Sequence, residues 1–220
     1  TTEIYTLSLH DALPICTRLR AQYGITDEEF VFLDVGAINH QKNHFGMVKA
    51  FEIATRICTN ARLAILGPCY ESGLLEEILA YVEKQGLKGK VLYCESAPSV
   101  HEHMAMADAF VSATFFEGGP LTLLEAIAAN IPVVMPAVGC ASRFAEQNGI
   151  KLVEPVYDMV HFSSPIWEMK SNSTFEQRLA DAMVDTWKNP VRPDFSETEL
   201  AALEKRSEEH TSELQSRQSI

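Results

Sequence analysis

Short apolar runs rich in β-branched and aromatic residues alternate along this chain with stretches whose apolar positions recur at helical spacing. That alternation is the pattern of βαβ units and a parallel sheet. The first run covers 30–35 and stops at Gly36. A helix fits 43–58, where Met47, Val48, Phe51, Ala54 and Ile57 share one face. A second strand fits 61–66, stopped by Gly67-Pro68; a helix over 71–85 then carries Leu74, Leu75, Ile78, Leu79 and Val82 as a stripe before Gly86. Strands follow at 91–93, 109–113, 133–135 and, weakly, 152–153, with helices at 100–107 and 121–129. From 155 to 173 the pattern lapses into a polar loop, after which 174–188 reads as a helix and a last helical piece starts at Glu197. The expected fold is α/β, a doubly wound, Rossmann-like parallel sheet. Ligands of such sheets bind at the carboxyl ends of the strands, where strand order reverses.

Composition narrows the class without naming a function. With 46% apolar and 22% charged residues the chain is globular, neither a disordered tail nor a fibre. No apolar run reaches the roughly 18–20 residues that span a bilayer. A net charge of −12 argues against a nucleic-acid partner, although backbone amides can still hold a phosphate. Cysteines 16, 58, 69, 94 and 140 contain no C-x-x-C pair and read as reduced, intracellular thiols.

Both ends read as foreign. Residues 1–15 match, without mismatch, the translation of a short-read sequencing adaptor. Residues 206–216 match the opposite adaptor, and 217–220 fit the index that follows it. Such scars are set aside before fold reasoning, which leaves 16–205 as the native domain. These ends are expected to pack poorly, and a domain bounded by adaptor on both sides is expected to be a fragment.

The chemistry gathers in two loops. In Gly36-Ala37-Ile38-Asn39-His40-Gln41-Lys42-Asn43 a glycine turn lets backbone approach a ligand, and Lys42 can reach a phosphate as a point charge. A solvated lysine ahead of a helix is the plainer reading of this loop alone. His40 and His44, and the pair His101 and His103, have spacings seen in zinc sites, but neither has a third ligand nearby, so no metal is expected. The second loop, Thr114-Phe115-Phe116-Glu117-Gly118-Gly119-Pro120-Leu121-Thr122-Leu123-Leu124-Glu125-Ala126, places two glycines and a proline where a strand gives way to a helix. Free amides and the positive end of the helix dipole there suit a pyrophosphate. Glu117 can accept hydrogen bonds from sugar hydroxyls, and Glu125 lies within reach of a ribose. A carboxylate set among Leu123, Leu124, Ala126 and Ile127 needs a partner, which weakens the reading of Glu125 as a solvated residue.

The E-x7-E spacing with E-G-G-P-L-T between resembles the carboxy-terminal domain of retaining GT-B glycosyltransferases of the glycogen-synthase and phosphatidylinositol-mannosyltransferase type, the glycosyl transferases group 1. The likeness covers almost all of 18–205. It takes in Arg18-Leu19-Arg20, Tyr23-Gly24-Ile25, Val35-Gly36, Lys42-Asn43, 63–67, 104–108, 124–129, Pro132-Val133-Val134 and Leu152-Val153. It implies one half of a GT-B fold that holds a UDP- or GDP-linked sugar, with no cofactor. The sugar would pass, with retention, to a glycan, lipid or small-molecule acceptor bound by a missing amino-terminal domain. The fragment alone would then be inactive. By the same resemblance Glu117 faces the donor sugar, and Gly36, Gly118, Gly119 and Pro120 supply backbone around sugar and phosphate. Leu121 and Thr122 offer amides to the diphosphate, Lys42 pairs with it, and Glu125 binds the ribose; Glu117 and Lys42 carry the catalysis. Base recognition would fall near 93–96. The implied location is cytoplasmic, with any membrane association coming through the missing domain.

Three departures from the family pattern stand out: Ala37 where arginine is usual, Asn130 where glycine is frequent, and Val138-Gly139-Cys140-Ala141-Ser142 in place of G-G-x-P-E. Losing the arginine weakens leaving-group stabilisation, because its fork of donors fits a diphosphate. A non-catalytic nucleotide-sugar-binding or interaction module of the same fold therefore stays open, as does a GT-B nucleotide-sugar epimerase.

Overall fold

A computed structural model describes residues 9–95, 99–119, 121–157, 165–196, 198–200 and 202. Six parallel strands form one sheet in the order β3-β2-β1-β4-β5-β6: β1 Phe30–Val35, β2 Ala61–Leu66, β3 Val91–Cys94, β4 Ala109–Val111, β5 Val133–Pro136 and β6 Ile150–Val153. The chain builds outward from β1 to β3, then returns to lay β4 on the other side of β1. The switch point expected of a doubly wound sheet thus falls between β1 and β4.

Helices flank the strands: α1 Leu9–Gln22, α2 His44–Ala54, α3 Ser72–Lys84, α4 Val100–Met106, α5 Leu121–Ala128 and α6 Ser173–Lys188. Alternate residues of each strand feed two cores, because successive side chains point to opposite faces. Phe32 and Leu63 join Met47 and Phe51 of α2, Ile78 of α3 and Leu179 of α6 on one face. Val31 and Leu33 join Leu19 of α1, Met104 of α4 and Leu123 of α5 on the other. Burial on both faces explains why the strands read as apolar runs instead of alternating ones. Among the described residues no helix is long and apolar enough to cross a membrane.

Several boundaries move for local reasons. Helix α2 stops at Ala54, short of the expected 58, so Ile57 leaves the predicted face and is 51% exposed. Leu79 likewise falls outside the buried stripe of α3, at 45% exposure. Strand β4 ends at Val111, not 113, because the Ala113 carbonyl turns to accept a hydrogen bond from Asn43 Nδ2 at 3.0 Å. Within the expected loop over 155–173, Ile166–Glu168 forms a 3-10 turn, and residues 158–164 lie outside those described. The expected helical piece from Glu197 and the carboxy-terminal stretch expected to be adaptor also lie almost wholly outside them, as do residues 1–8.

The helix that sequence periodicity missed is α1, which runs through the 15/16 boundary with Pro14 inside it. Its anchor is Arg20, which donates to the carbonyls of Met106 (2.9 Å) and Thr26 (3.2 Å) and to Asp108 Oδ2 (3.3 Å). Asp108 Oδ2 in turn accepts from Val31 N at 2.8 Å, so the family-like positions 18–20 and 104–108 tie α1 to the amino ends of the strands. Contrary to the expectation of poor packing throughout 1–15, Ile15 packs against the second core, while Leu13 is 68% exposed. Removing residues 1–14, expected from sequence to be foreign, should shift the melting temperature by less than about 2 °C: Leu13 and Pro14 are exposed, and exposed positions contribute within roughly ±0.5 kcal/mol. Scanning calorimetry checks this, and a larger drop means the helix start is structural.

Candidate functional site

The two loops singled out by sequence leave β1 and β4 side by side at the switch point and are tied to each other. Phe115 N donates to the Gln41 carbonyl at 2.9 Å, and Gln41 Nε2 donates to the Phe116 carbonyl at 3.0 Å. Asn43 completes the junction. It sits in the left-handed region at φ 53°, which asparagine tolerates better than most residues. Its Oδ1 caps α2 by accepting from Gly46 N at 3.2 Å, while Nδ2 donates to the Ala113 carbonyl just past β4. The 3-10 turn His40–Lys42 before it is capped by Asn39, whose Oδ1 accepts from Lys42 N at 3.1 Å.

That arrangement brings Lys42 and Glu117 together as an ion pair between Nζ and Oε1, with side chains 24% and 13% exposed. Thr114 Oγ1, at the end of the β4 segment, lies 3.1 Å from the same Glu117 oxygen. A Cβ on Gly36 would sit 3.3 Å from the Lys42 stem, so the missing side chain also makes room for the lysine to lie across the turn. At Gly118 a Cβ would meet nothing within 4 Å among the described residues, leaving that backbone open to a ligand. Leu121 and Thr122 occupy the first turn of α5, whose amides lack intrahelical partners. Gly119 is placed between them and the pair; Pro120 lies outside the described residues.

Glu125 is not part of the Lys42–Glu117 contact. It lies in the second turn of α5 and is only 5% exposed. Burial raises its carboxyl above the usual glutamate range, and the charge of His101 on α4 pulls the other way. The sequence argument that this carboxylate needs a partner therefore finds an electrostatic one in His101.

Gly139 is a site residue whose part the sequence did not reveal. It opens the 3-10 turn Gly139–Phe144 after β5, at φ 56°, and a Cβ there would come 2.3 Å from the Glu117 carbonyl oxygen and 2.8 Å from that of Gly118. The retained glycine of the altered 138–142 loop thus lets β5's loop press on the E-G-G backbone. Gln41 was likewise missed, and nothing in its sequence context distinguishes it from a surface glutamine.

The histidines go elsewhere. His40 Nδ1 pairs with Glu71, and buried His44 Nε2 lies 2.8 Å from Asp34 Oδ2, an ion-pair distance without hydrogen-bond alignment. His103 Nε2 meets the Tyr23 hydroxyl at 3.0 Å. Among the described residues no group of three or more His, Cys, Asp or Glu side chains could hold a metal ion. In the region expected to meet a base, the Tyr93 hydroxyl donates to the Gly67 carbonyl at 3.0 Å, and Ser96 lies outside the described residues.

Comparison with known proteins bears on this site. The family model described as glycosyl transferases group 1 matches residues 17–183. An uncharacterized glycosyltransferase of Methanocaldococcus jannaschii is 29% identical over 117 residues, which cover 53% of this chain and 28% of that protein. A Campylobacter jejuni enzyme is 33% identical over 115 residues, covering 52% of this chain and 30% of its own length; its name is N-acetylgalactosamine-N,N'-diacetylbacillosaminyl-diphospho-undecaprenol 4-alpha-N-acetylgalactosaminyltransferase. Among solved structures, Anabaena HepE in complex with UDP and glucose superposes with a TM-score of 0.63 at 16% identity, over 95% of this chain and 54% of that one. The matched stretches span under a third of these curated relatives and about half of the solved neighbour. The solved neighbours include GT-B glycosyltransferases, so the sheet described above has the fold of one GT-B half.

Proposed function

Because the chain belongs to the glycosyl transferases group 1 family, we propose that it is the donor-binding half of a retaining sugar transferase. The observation that carries this reading is the meeting of Lys42 and Glu117 at the switch point, beside the free amides of α5. A nucleoside diphosphate leaves with negative charge developing on its terminal phosphate. Lys42, the amides of Leu121 and Thr122 and the dipole of α5 stabilise that charge in place, which is where most of the rate enhancement in such transfers arises. Ala37 stands where the family usually carries arginine, so the side-chain charge offered by this loop falls to Lys42. These groups supply the positive potential that a metal would otherwise provide, and the reading needs no cofactor.

Glu117, held beside Lys42, accepts from hydroxyls of the transferred hexosyl group, and Glu125 accepts from the ribose. Solved relatives bound to UDP and glucose support a nucleotide sugar as ligand, UDP- or GDP-linked. The acceptor, whether glycan, lipid or small molecule, belongs to the amino-terminal half of the longer enzyme, so this chain alone is expected to show no transfer. Ala37 and the 138–142 loop favour a second reading, a nucleotide-sugar-binding module without turnover.

Isothermal titration of the 220-residue chain with UDP, GDP, UDP-glucose and GDP-mannose tests the proposal. One base is expected to bind both as diphosphate and as conjugate. Glu117→Gln is expected to weaken the conjugate roughly tenfold without weakening the diphosphate, because the charge-assisted hydrogen bond lost is to the sugar, while Lys42, released from its ion pair, stays available to the phosphates. No binding of any nucleotide would sink the donor reading, and glycosyl transfer by the chain alone would sink the half-site reading. Turnover once an acceptor-binding half is supplied separates the transferase from the binding module.

A further inference from the structure

The Lys42–Glu117 pair raises a problem for the donor site: a lysine drawn to a diphosphate cannot also be relied on to hold the glutamate that meets the sugar. Thr114 resolves it. The residue is 2% exposed, and its hydroxyl has three acceptors in range: the carbonyls of Phe116 (3.1 Å) and Gln41 (3.2 Å), and Glu117 Oε1 (3.1 Å). A hydroxyl has one proton to give. The Phe116 carbonyl already accepts from Gln41 Nε2, and the Gln41 carbonyl already accepts from Phe115 N. The carboxylate is also the strongest acceptor of the three, since hydrogen bonds to an ionised oxygen are about twice as strong as neutral ones. The proton therefore belongs to Glu117.

Both internal donors, Lys42 Nζ and Thr114 Oγ1, converge on the single oxygen Oε1. Oε2 receives neither of these donors, which leaves it to a ligand. We propose that Thr114 is the positioning residue of the donor site, fixing Oε1 of Glu117 so that Oε2 is presented to a hydroxyl of the donor sugar even after Lys42 engages the diphosphate. The two loop-to-loop bonds through Gln41 hold Thr114 and Glu117 in register, so the threonine acts from a backbone that is itself pinned to the lysine's turn. This inference rests on the donor reading above, and its test separates the two.

The 220-residue chain is titrated with the nucleoside diphosphate it binds and with the matching sugar conjugate, as wild type, Thr114→Val, Thr114→Ala, Thr114→Ser and Glu117→Gln, and with Thr114→Val combined with Glu117→Gln. Valine keeps the shape and removes the hydroxyl; alanine serves if valine disturbs folding, which circular dichroism reports. Thr114→Val and Thr114→Ala are expected to weaken the conjugate about five- to tenfold with the diphosphate within twofold, and Thr114→Ser to restore wild-type affinity. In the Glu117→Gln background Thr114→Val is expected to add little, because the carboxylate it positions is gone. A merely structural threonine would instead weaken both ligands together and add its loss to that of Glu117→Gln; either result overturns the inference. So does a wild-type-like conjugate affinity in both hydroxyl-free variants while Glu117→Gln still loses it. A wild type that binds no nucleotide removes the donor reading, and this inference with it.

Discussion

Gly139→Ala is expected to abolish measurable nucleotide binding while the sheet still folds. The added methyl would stand 2.3 Å from the Glu117 carbonyl oxygen and 2.8 Å from that of Gly118, distances that no rotamer change relieves because both neighbours are backbone. The residue's own φ of 56° adds about 1–2 kcal/mol of strain for any side chain. The loop cannot simply withdraw, since Ala141 and Phe144 of the same turn are buried in the second core. The E-G-G backbone must therefore move, taking Glu117 away from Lys42 and shifting the amides at the start of α5. A displacement near 1 Å at such a site is enough for roughly a hundredfold loss. Titration should show both diphosphate and conjugate weakened together, with a fall in melting temperature of about 2–8 °C. Gly118→Ala is the contrast: its Cβ meets nothing in the described structure, so the melting temperature should hold while a ligand lying on that backbone is displaced. Undiminished binding by Gly139→Ala would mean that the 139–144 turn is free to move, and that its contact with Glu117 does not shape the site.

The strands and the two functional loops were legible in the sequence because burial on both faces leaves an uninterrupted apolar record, and because glycine and proline punctuate the strand ends. Met47, Phe51 and Ile78 fell on the faces that periodicity assigned them. What periodicity could not carry was any contact between distant segments. Helix α1 was invisible because it offers the core little beyond Leu19 and Ile15, and much of its hold is Arg20 bonded to the carbonyls of Met106, Thr26 and Glu29 and to Asp108, a polar anchor in a segment interrupted by Pro14. Ile57 and Leu79 were assigned to buried faces and emerged exposed, since spacing alone does not say where a helix stops or how wide its covered stripe is. At the site, Lys42 and Glu117 were named separately, 75 positions apart, and their pairing depends on Gln41 and Asn43 stitching one loop to the other. Gly139 carried a hint, as the glycine kept within an otherwise altered loop, but only the close approach to Glu117 gives that glycine a reason.

Glu125→Gln is expected to weaken diphosphate and conjugate alike, by roughly ten- to a hundredfold, and at the same time to make the protein more stable at neutral and higher pH. The first effect follows from the ribose being common to both ligands, with a charge-assisted hydrogen bond worth about 1.5–3 kcal/mol. The second follows from burial. Desolvation raises the Glu125 carboxyl in the folded protein above its unfolded value, so the native state holds this proton more tightly than the unfolded chain does. Its contribution to stability is fully present below the ordinary glutamate range and is lost as pH rises through the folded value. Above that point a charged carboxylate, 5% exposed among Leu123, Ala126 and Ile127, opposes folding. The charge of His101 offsets only part of this, since burial is the larger of the two effects. The neutral amide removes the penalty. Thermal unfolding at pH 8 should therefore place Glu125→Gln above wild type, and the two midpoints should converge toward pH 4. A variant less stable than wild type at pH 8 would show Glu125 to be a structural anchor for α4 and α5. Higher stability together with lost affinity would identify a carboxylate kept in the core at a cost to folding because a ligand needs it there.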